Sequence, residues 1–335
     1  MSNLLIGVLG ALVATNQPAA LSNLITQTTG VSIAAIDTNN PVQTELQKIE
    51  DDDDAAAAEV DGWIRQNQEF AAKGAEIPAG ELNRRIRARF EPSRKAYEDF
   101  IQRHPKYAQG RVAYASFLHD MGDEEGEMGQ LVKAREIDPT IPSIWNNLGN
   151  YYGEHGPMTN AFICYEKAIQ LDPTEPVYYH NFGTTVFLYR KDVKEFYHIN
   201  EQQVFDKALM LYSNSTRLDP TNFELASDVA MTYYGIKPLR TNDALTSWTN
   251  TLGLAHDEIE REGVYLHFAR IQIGAGNYTE AQARLDSVTN SMYDDLKKRL
   301  TRSLHDHQHP EQVTNDPPAE ALAVESKTNS PPREP

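Results

Sequence analysis

Between residues 108 and 292, apolar side chains recur three and four positions apart, in runs of about a dozen residues. Stretches carrying Gly, Pro and Asn separate the runs. That spacing puts the apolar residues on one face of a helix. Residues 143–173 show it most cleanly. Ile144, Trp145, Leu148 and Tyr152 share a face, and Gly153–Pro157 (GEHGP) breaks the run. A second run follows with Ala161, Tyr165, Ala168, Ile169 and Leu171. Pro173 ends it, because proline lacks the N–H a helix needs and its ring clashes with the preceding turn. The pattern predicts two helices joined by a tight turn.

The pair is repeated. Asp-Pro-Thr occurs at 138–140, 172–174 and 219–221, with the prolines 34 and then 47 residues apart. Small residues keep step at Ala115, Gly149, Gly183, Ala230 and Ala269. Such a fixed period is the signature of a repeat architecture. Trp145-x2-Leu148-Gly149-x2-Tyr152, followed by Ala161-x3-Tyr165-x2-Ala168 and Pro173, resembles the tetratricopeptide repeat. The neighbouring stretches follow the pattern less closely, and Glu127 stands where the family prefers alanine. The resemblance implies an all-α fold, a right-handed α-solenoid of about five helix pairs over 108–292. Stacking is needed because a single pair cannot bury both its faces.

The flanks read differently. Residues 1–36 carry no charge, and Leu4–Ala14 is an apolar run too short to span a bilayer. It suits either the core of a secretory signal or a short helix docking on the array, although no basic residue precedes it. Residues 37–79 form an acidic segment with a helix expected from Glu50, whose acidic first turn would suit the positive end of the helix dipole. A helix over 80–107 is expected to cap the array, kinked at Pro92, and a helix over 293–304 to cap the other end. The proline-rich acidic segment 305–335 is expected to be disordered.

Charge narrows the partners. Of the net −17, residues 37–61 hold −8 and residues 305–335 hold −4, so the array itself is close to balanced. This argues against nucleic acid, whose phosphates call for a basic surface. Arg84, Arg85, Arg87 and Arg89 are better explained as a solvated helix face opposite the acidic 50–61 segment. Cys164 is the single cysteine, which excludes an internal disulfide and suits the cytoplasm, with export or a periplasmic location the alternative if residues 1–20 are a signal. Nothing beside it would activate the thiol. His305, His307 and His309 are imidazoles that could take a metal, but a flexible tail would not organise them, and no metal or cofactor is expected.

The resemblance also implies where a partner would bind. First helices line the concave side of a tetratricopeptide array, and the matching positions here include Asn146, Asn150, His180, Thr184, Met231 and Tyr234, with Asn147 and Asn181 beside them. Asparagine both donates and accepts, so it can pair with any peptide backbone. Asn147 and Asn181 fall where the repeats of O-GlcNAc transferases carry an asparagine ladder that holds extended peptide. The alternative is that these side chains only solvate the groove. The basic clamp of chaperone-binding tetratricopeptide domains is replaced by Val112, Asn146, Asn147 and Asn181. The 13 extra residues near 189–201, with Phe196, Tyr197 and His198, would either shape a binding face or extend the helices. No phosphate loop, metal box or nucleophile–base set is visible. The expected function is a non-catalytic adaptor for a protein or peptide. An exported or envelope-associated assembly factor is the second reading, and an enzyme built from His180 and the Phe196–His198 insertion the third.

Overall fold

A computed structural model describes residues 40–71, 74–75 and 77–310. The apolar N-terminal segment, and with it the question of a signal, lies outside the described residues, as does the chain beyond Pro310. Fourteen α-helices, two short 3-10 helices and no strand are found among the described residues, an all-α architecture. Contacts divide these residues into two compact units, 40–218 and 219–310.

The first unit opens with α1 (Pro41–Ala71) and α2 (Ala79–Arg103). Helix α1 begins nine residues before the expected start at Glu50. Asn40 explains this, because its Oδ1 accepts the N–H of Val42 (3.0 Å) and of Gln43 (3.3 Å), with Pro41 next in line. The Asp51–Asp54 run therefore sits inside the helix rather than at its start, and the dipole does not account for it. Helix α2 continues through Pro92 as one element. The arginines of α2 turn toward α1: Arg89 pairs with Glu59 at 2.7 Å and Arg85 lies 3.8 Å over the Trp63 ring.

Three helix pairs follow: α3 (Ala108–Asp120) with α4 (Glu124–Ile137), α5 (Pro142–His155) with α6 (Met158–Leu171), and α7 (Pro176–Leu188) with α9 (Glu201–Leu218). In the second pair, Gly149 of α5 lies against the Tyr165 ring of α6, where a Cβ would come within 2.7 Å. Gly183 and Tyr212 repeat the contact at 3.0 Å. In these two periods the small residue is thus the seat for the tyrosine of the partner helix. At the first pair, Glu127 is buried and its Oε2 lies 3.2 Å from His119 Nδ1, so a charge in place of the usual alanine is matched by a histidine across the pair.

The Asp-Pro-Thr triplets are the joints. At the first, Asp138 Oδ1 accepts the Thr140 N–H (2.9 Å) and hydroxyl (2.6 Å), and Trp145 Nε1 donates to the Pro139 carbonyl at 2.8 Å. The second joint copies it with Asp172, Thr174, and Tyr179 donating to Pro173 at 3.2 Å. The 13 extra residues include a short eight-residue helix, α8 (Arg190–Tyr197), between α7 and α9. Its Val193 is buried, and Phe196 and Tyr197 stand 5.4 and 5.8 Å from the Phe162 ring of α6.

The second unit holds two further pairs, α10 (Phe223–Thr232) with α11 (Thr241–Leu254) and α12 (Glu258–Gly274) with α13 (Tyr278–Asp286). Its third triplet is built differently: Asn222 donates to Asp219 (2.9 Å) and caps α10 through the Leu225 N–H (2.9 Å). The buried carboxylate of Glu262 ties α12 to the chain after α13, accepting from the Thr289 and Asn290 N–H groups at 3.0 and 2.8 Å and from the Thr289 hydroxyl at 2.7 Å. Helix α14 (Asp294–Gln308) closes the unit through Leu300 and Leu304. It extends past Leu304, so His305 and His307 are helical rather than part of a disordered tail.

Candidate functional site

On the first helices of the first unit, the structure separates the asparagines into two kinds. Asn146 and Asn147 are 0% and 6% exposed. Both were expected on the face left free by packing, and both are packed between repeats. Asn181 Nδ2 donates to Asn146 Oδ1 at 3.1 Å, and Asn146 Nδ2 donates to Asn147 Oδ1 at 3.2 Å. The chain Asn181–Asn146–Asn147 links α7 to α5, as the hydrogen-bonding capacity of buried amides requires.

Asn150, His180, Asn181 and Thr184 are half-buried. Tyrosines of the second helices hold several of them from behind. Tyr165 donates to Asn150 Oδ1 at 2.8 Å and receives the Thr185 hydroxyl at 3.3 Å. Tyr212 lies 3.0 Å from the Thr184 hydroxyl, with its ring 5.7 Å from that of His180. Burial drives the hydroxyl of Tyr165, and that of Tyr178 on α7, well above the ordinary tyrosine range, so both stay protonated.

In the second unit, Met231 is 39% exposed. Tyr234 is tied inward: its hydroxyl is 3.0 Å from His267 Nδ1, and the Arg270 guanidinium lies 4.3 Å over its ring. His267 stacks flat on Trp248, with centroids 4.0 Å apart and planes 6° apart. Burial, with the Arg270 charge beside it, pushes the imidazole down to about 4, so it is neutral near pH 7. His267 was missed by sequence reasoning. The signal was there, since it precedes Ala269 by two residues as Asn147 precedes Gly149 and Asn181 precedes Gly183.

The insertion does not present a free aromatic face. Phe196 and Tyr197 pack on Phe162, Tyr197 donates to Glu166 Oε1 at 2.7 Å, and Lys207 Nζ sits 4.0 Å over the Tyr197 ring. His198 is exposed, with a left-handed backbone (φ 55°) that ends α8. Cys164 is buried in the core of the second pair, and burial raises its thiol to about 11, which leaves it protonated and unreactive. Among the described residues no group of three or more His, Cys, Asp or Glu side chains is arranged to hold a metal ion, and no helix is long and apolar enough to cross a membrane.

Residues 142–175 match the tetratricopeptide repeat. Similar solved structures include PilW, a type IV pilus biogenesis factor, at 16% identity over 72% of this chain and 98% of that one, with a TM-score of 0.49. Pseudomonas aeruginosa pilF is 15% identical over 77% of this chain and 98% of its own, at 0.47. YrrB, a TPR protein with an unusual peptide-binding site, is 16% identical over 64% and 99%, at 0.46. Comparison with curated proteins gives no match. The α5–α6 pair is a tetratricopeptide repeat in both sequence and packing, so the chain carries at least one such repeat. Such repeats are, as a class, scaffolds for protein–protein interaction.

Proposed function

We propose that the protein is a non-catalytic adaptor that holds an extended segment of a partner protein on the first helices of its repeats. The observation that carries this reading is the partly exposed set Asn150, His180, Asn181 and Thr184 on consecutive first helices. Amide, imidazole and hydroxyl groups held in place by Tyr165 and Tyr212 offer pre-positioned donors and acceptors to a peptide backbone. Asn146 and Asn147 take part by fixing the spacing of α5 and α7. On the second unit, taken by itself, Met231 offers an exposed apolar contact, while Tyr234, tied to His267, supports the surface from within. Phe196, Tyr197 and His198 shape the flank of α6 rather than the binding face.

A random-peptide display library panned on the purified chain tests it. Selected peptides should bind Asn150→Ala/His180→Ala at least about tenfold more weakly, a loss of about 1.4 kcal/mol. An Ile163→Ala control, exposed on the second helix α6, should bind as the native chain does. Equal affinity for all three proteins would overturn the assignment. We place the chain in the cytoplasm, consistent with a lone buried cysteine. Recovery of a secreted form shortened at its N-terminus would overturn that.

A further inference from the structure

Helix α1 lies against α2 and α3 with a seven-residue rhythm. Leu46, Ile49, Ala56 and Val60 are its buried residues, and Leu46 and Ile49 pack among Tyr97, Phe100, Phe117 and Leu118. The rhythm has one more place, at the centre between Ile49 and Ala56, and Asp53 fills it. The Asp53 carboxyl meets the hydroxyl of Tyr97, 3.3 Å away on a side chain 2% exposed. Glu50 and Asp54 flank it on α1, with Asp51 beyond them, and Asp120 ends α3, where the helix dipole is negative. The surrounding cations are engaged elsewhere. Arg89 holds Glu59, Arg103 and His104 hold Glu45, Arg94 holds Asp123, and His119 holds Glu127. Among the described residues Glu50, Asp53, Asp54 and Asp120 form no ion pair.

We propose that α1 is a proton-linked cover, seated on α2 and α3 when Asp53 is protonated and loosened as Asp53 and its neighbours ionise. Loosening uncovers the aromatic surface of Tyr97, Tyr114 and Phe117 at the start of the array.

The titration of the cluster supports this. Burial, reinforced by neighbouring carboxylates, lifts Asp53 and Glu50 to about 7 and Asp54 to about 6, against the lesser pull of the Tyr97 hydrogen bond and the Arg89 charge on Asp53. Asp120, exposed at the end of α3, adds its negative charge to the field on Asp53 and Asp54. Groups raised in the seated state bind protons there that they release when α1 lifts. The seating is therefore complete below the ordinary carboxylate range and is lost as pH rises through about 7. Glu45 has the opposite sign. Burial raises it, but hydrogen bonds from His104 and Arg103 pull it below its ordinary value, so it stays ionised across this window.

Amide hydrogen exchange of the full chain between pH 5.5 and 8, corrected for the intrinsic pH dependence of exchange, tests the proposal. Protection of amides 45–60 should fall about tenfold or more from pH 6 to pH 8. Asp53→Asn, which keeps an acceptor for Tyr97 without a titratable proton, should be better protected at pH 8 and change less with pH. Asp120→Asn should move in the same direction by a smaller factor. Protection that does not change between pH 6 and 8, or variants that follow the native profile, would overturn it.

Discussion

Gly149 and Tyr165 touch so closely that no methyl group fits between them, a Cβ at 149 falling 2.7 Å from the ring. By helix propensity alone, Gly149→Ala would stabilise the chain by roughly 0.5–1 kcal/mol. Overpacking opposes this and costs about 1–3 kcal/mol. Thermal unfolding should show a net loss, with Gly183→Ala, at 3.0 Å from Tyr212, losing less.

His119 and Glu127 make a half-covered pair across α3 and α4. The hydrogen bond to Glu127 outweighs burial and raises His119 to about 9. Its contribution is then present below the ordinary histidine value and is lost as pH rises through about 9. His119→Gln should lower stability by about 1 kcal/mol at pH 7 and flatten the pH dependence between 7 and 10, as followed by urea unfolding.

Asn146 and Asn150 should separate structure from binding. Asn146→Ala leaves the Asn181 and Asn147 amides without their partner in a buried interface and should cost about 1–3 kcal/mol. Asn150→Ala removes the acceptor of the Tyr165 hydroxyl, but at a half-exposed position that water can reach. It should cost about 1 kcal/mol, less than Asn146→Ala, and act on peptide affinity. Chemical denaturation and peptide titration of both variants check this. Matching losses of stability would show that the two side chains do the same work.

Glu262 is a buried carboxylate bonded to two backbone N–H groups and a hydroxyl. Burial raises its carboxyl, but these bonds outweigh the effect and hold it below the ordinary value. Its stabilisation is complete above the usual glutamate range and fades as pH falls through the lowered value. Glu262→Ala should destabilise the second unit by about 1–3 kcal/mol at pH 7. Exchange of the Thr289 and Asn290 amides should quicken.

The helix pairs were legible because each is written locally: a small residue, a large one at helical spacing and, in the first three, a proline to stop. The start of α1 was missed since its signal, Asn40–Pro41, lies outside the acidic run that attracted attention. The asparagines were harder. Asn146 and Asn150 lie four residues apart on one face, and nothing in that spacing says that the neighbouring α7 will cover the first and leave the second partly open. Burial of that kind is decided between repeats. The pairing of Glu127 with His119 is likewise a long-range match, visible in sequence only as a departure from pattern.

The joint at Asp138–Trp145 is complete within eight residues: one carboxylate folds the turn and one indole straps the next helix to the proline carbonyl. The second joint achieves the same with a tyrosine. Each repeat after these joints therefore carries its own connector, and needs no outside residue to set how its first helix leaves the turn. A gene segment of 34 codons cut at the triplet would move with its hinge attached, which makes the array able to grow by copying.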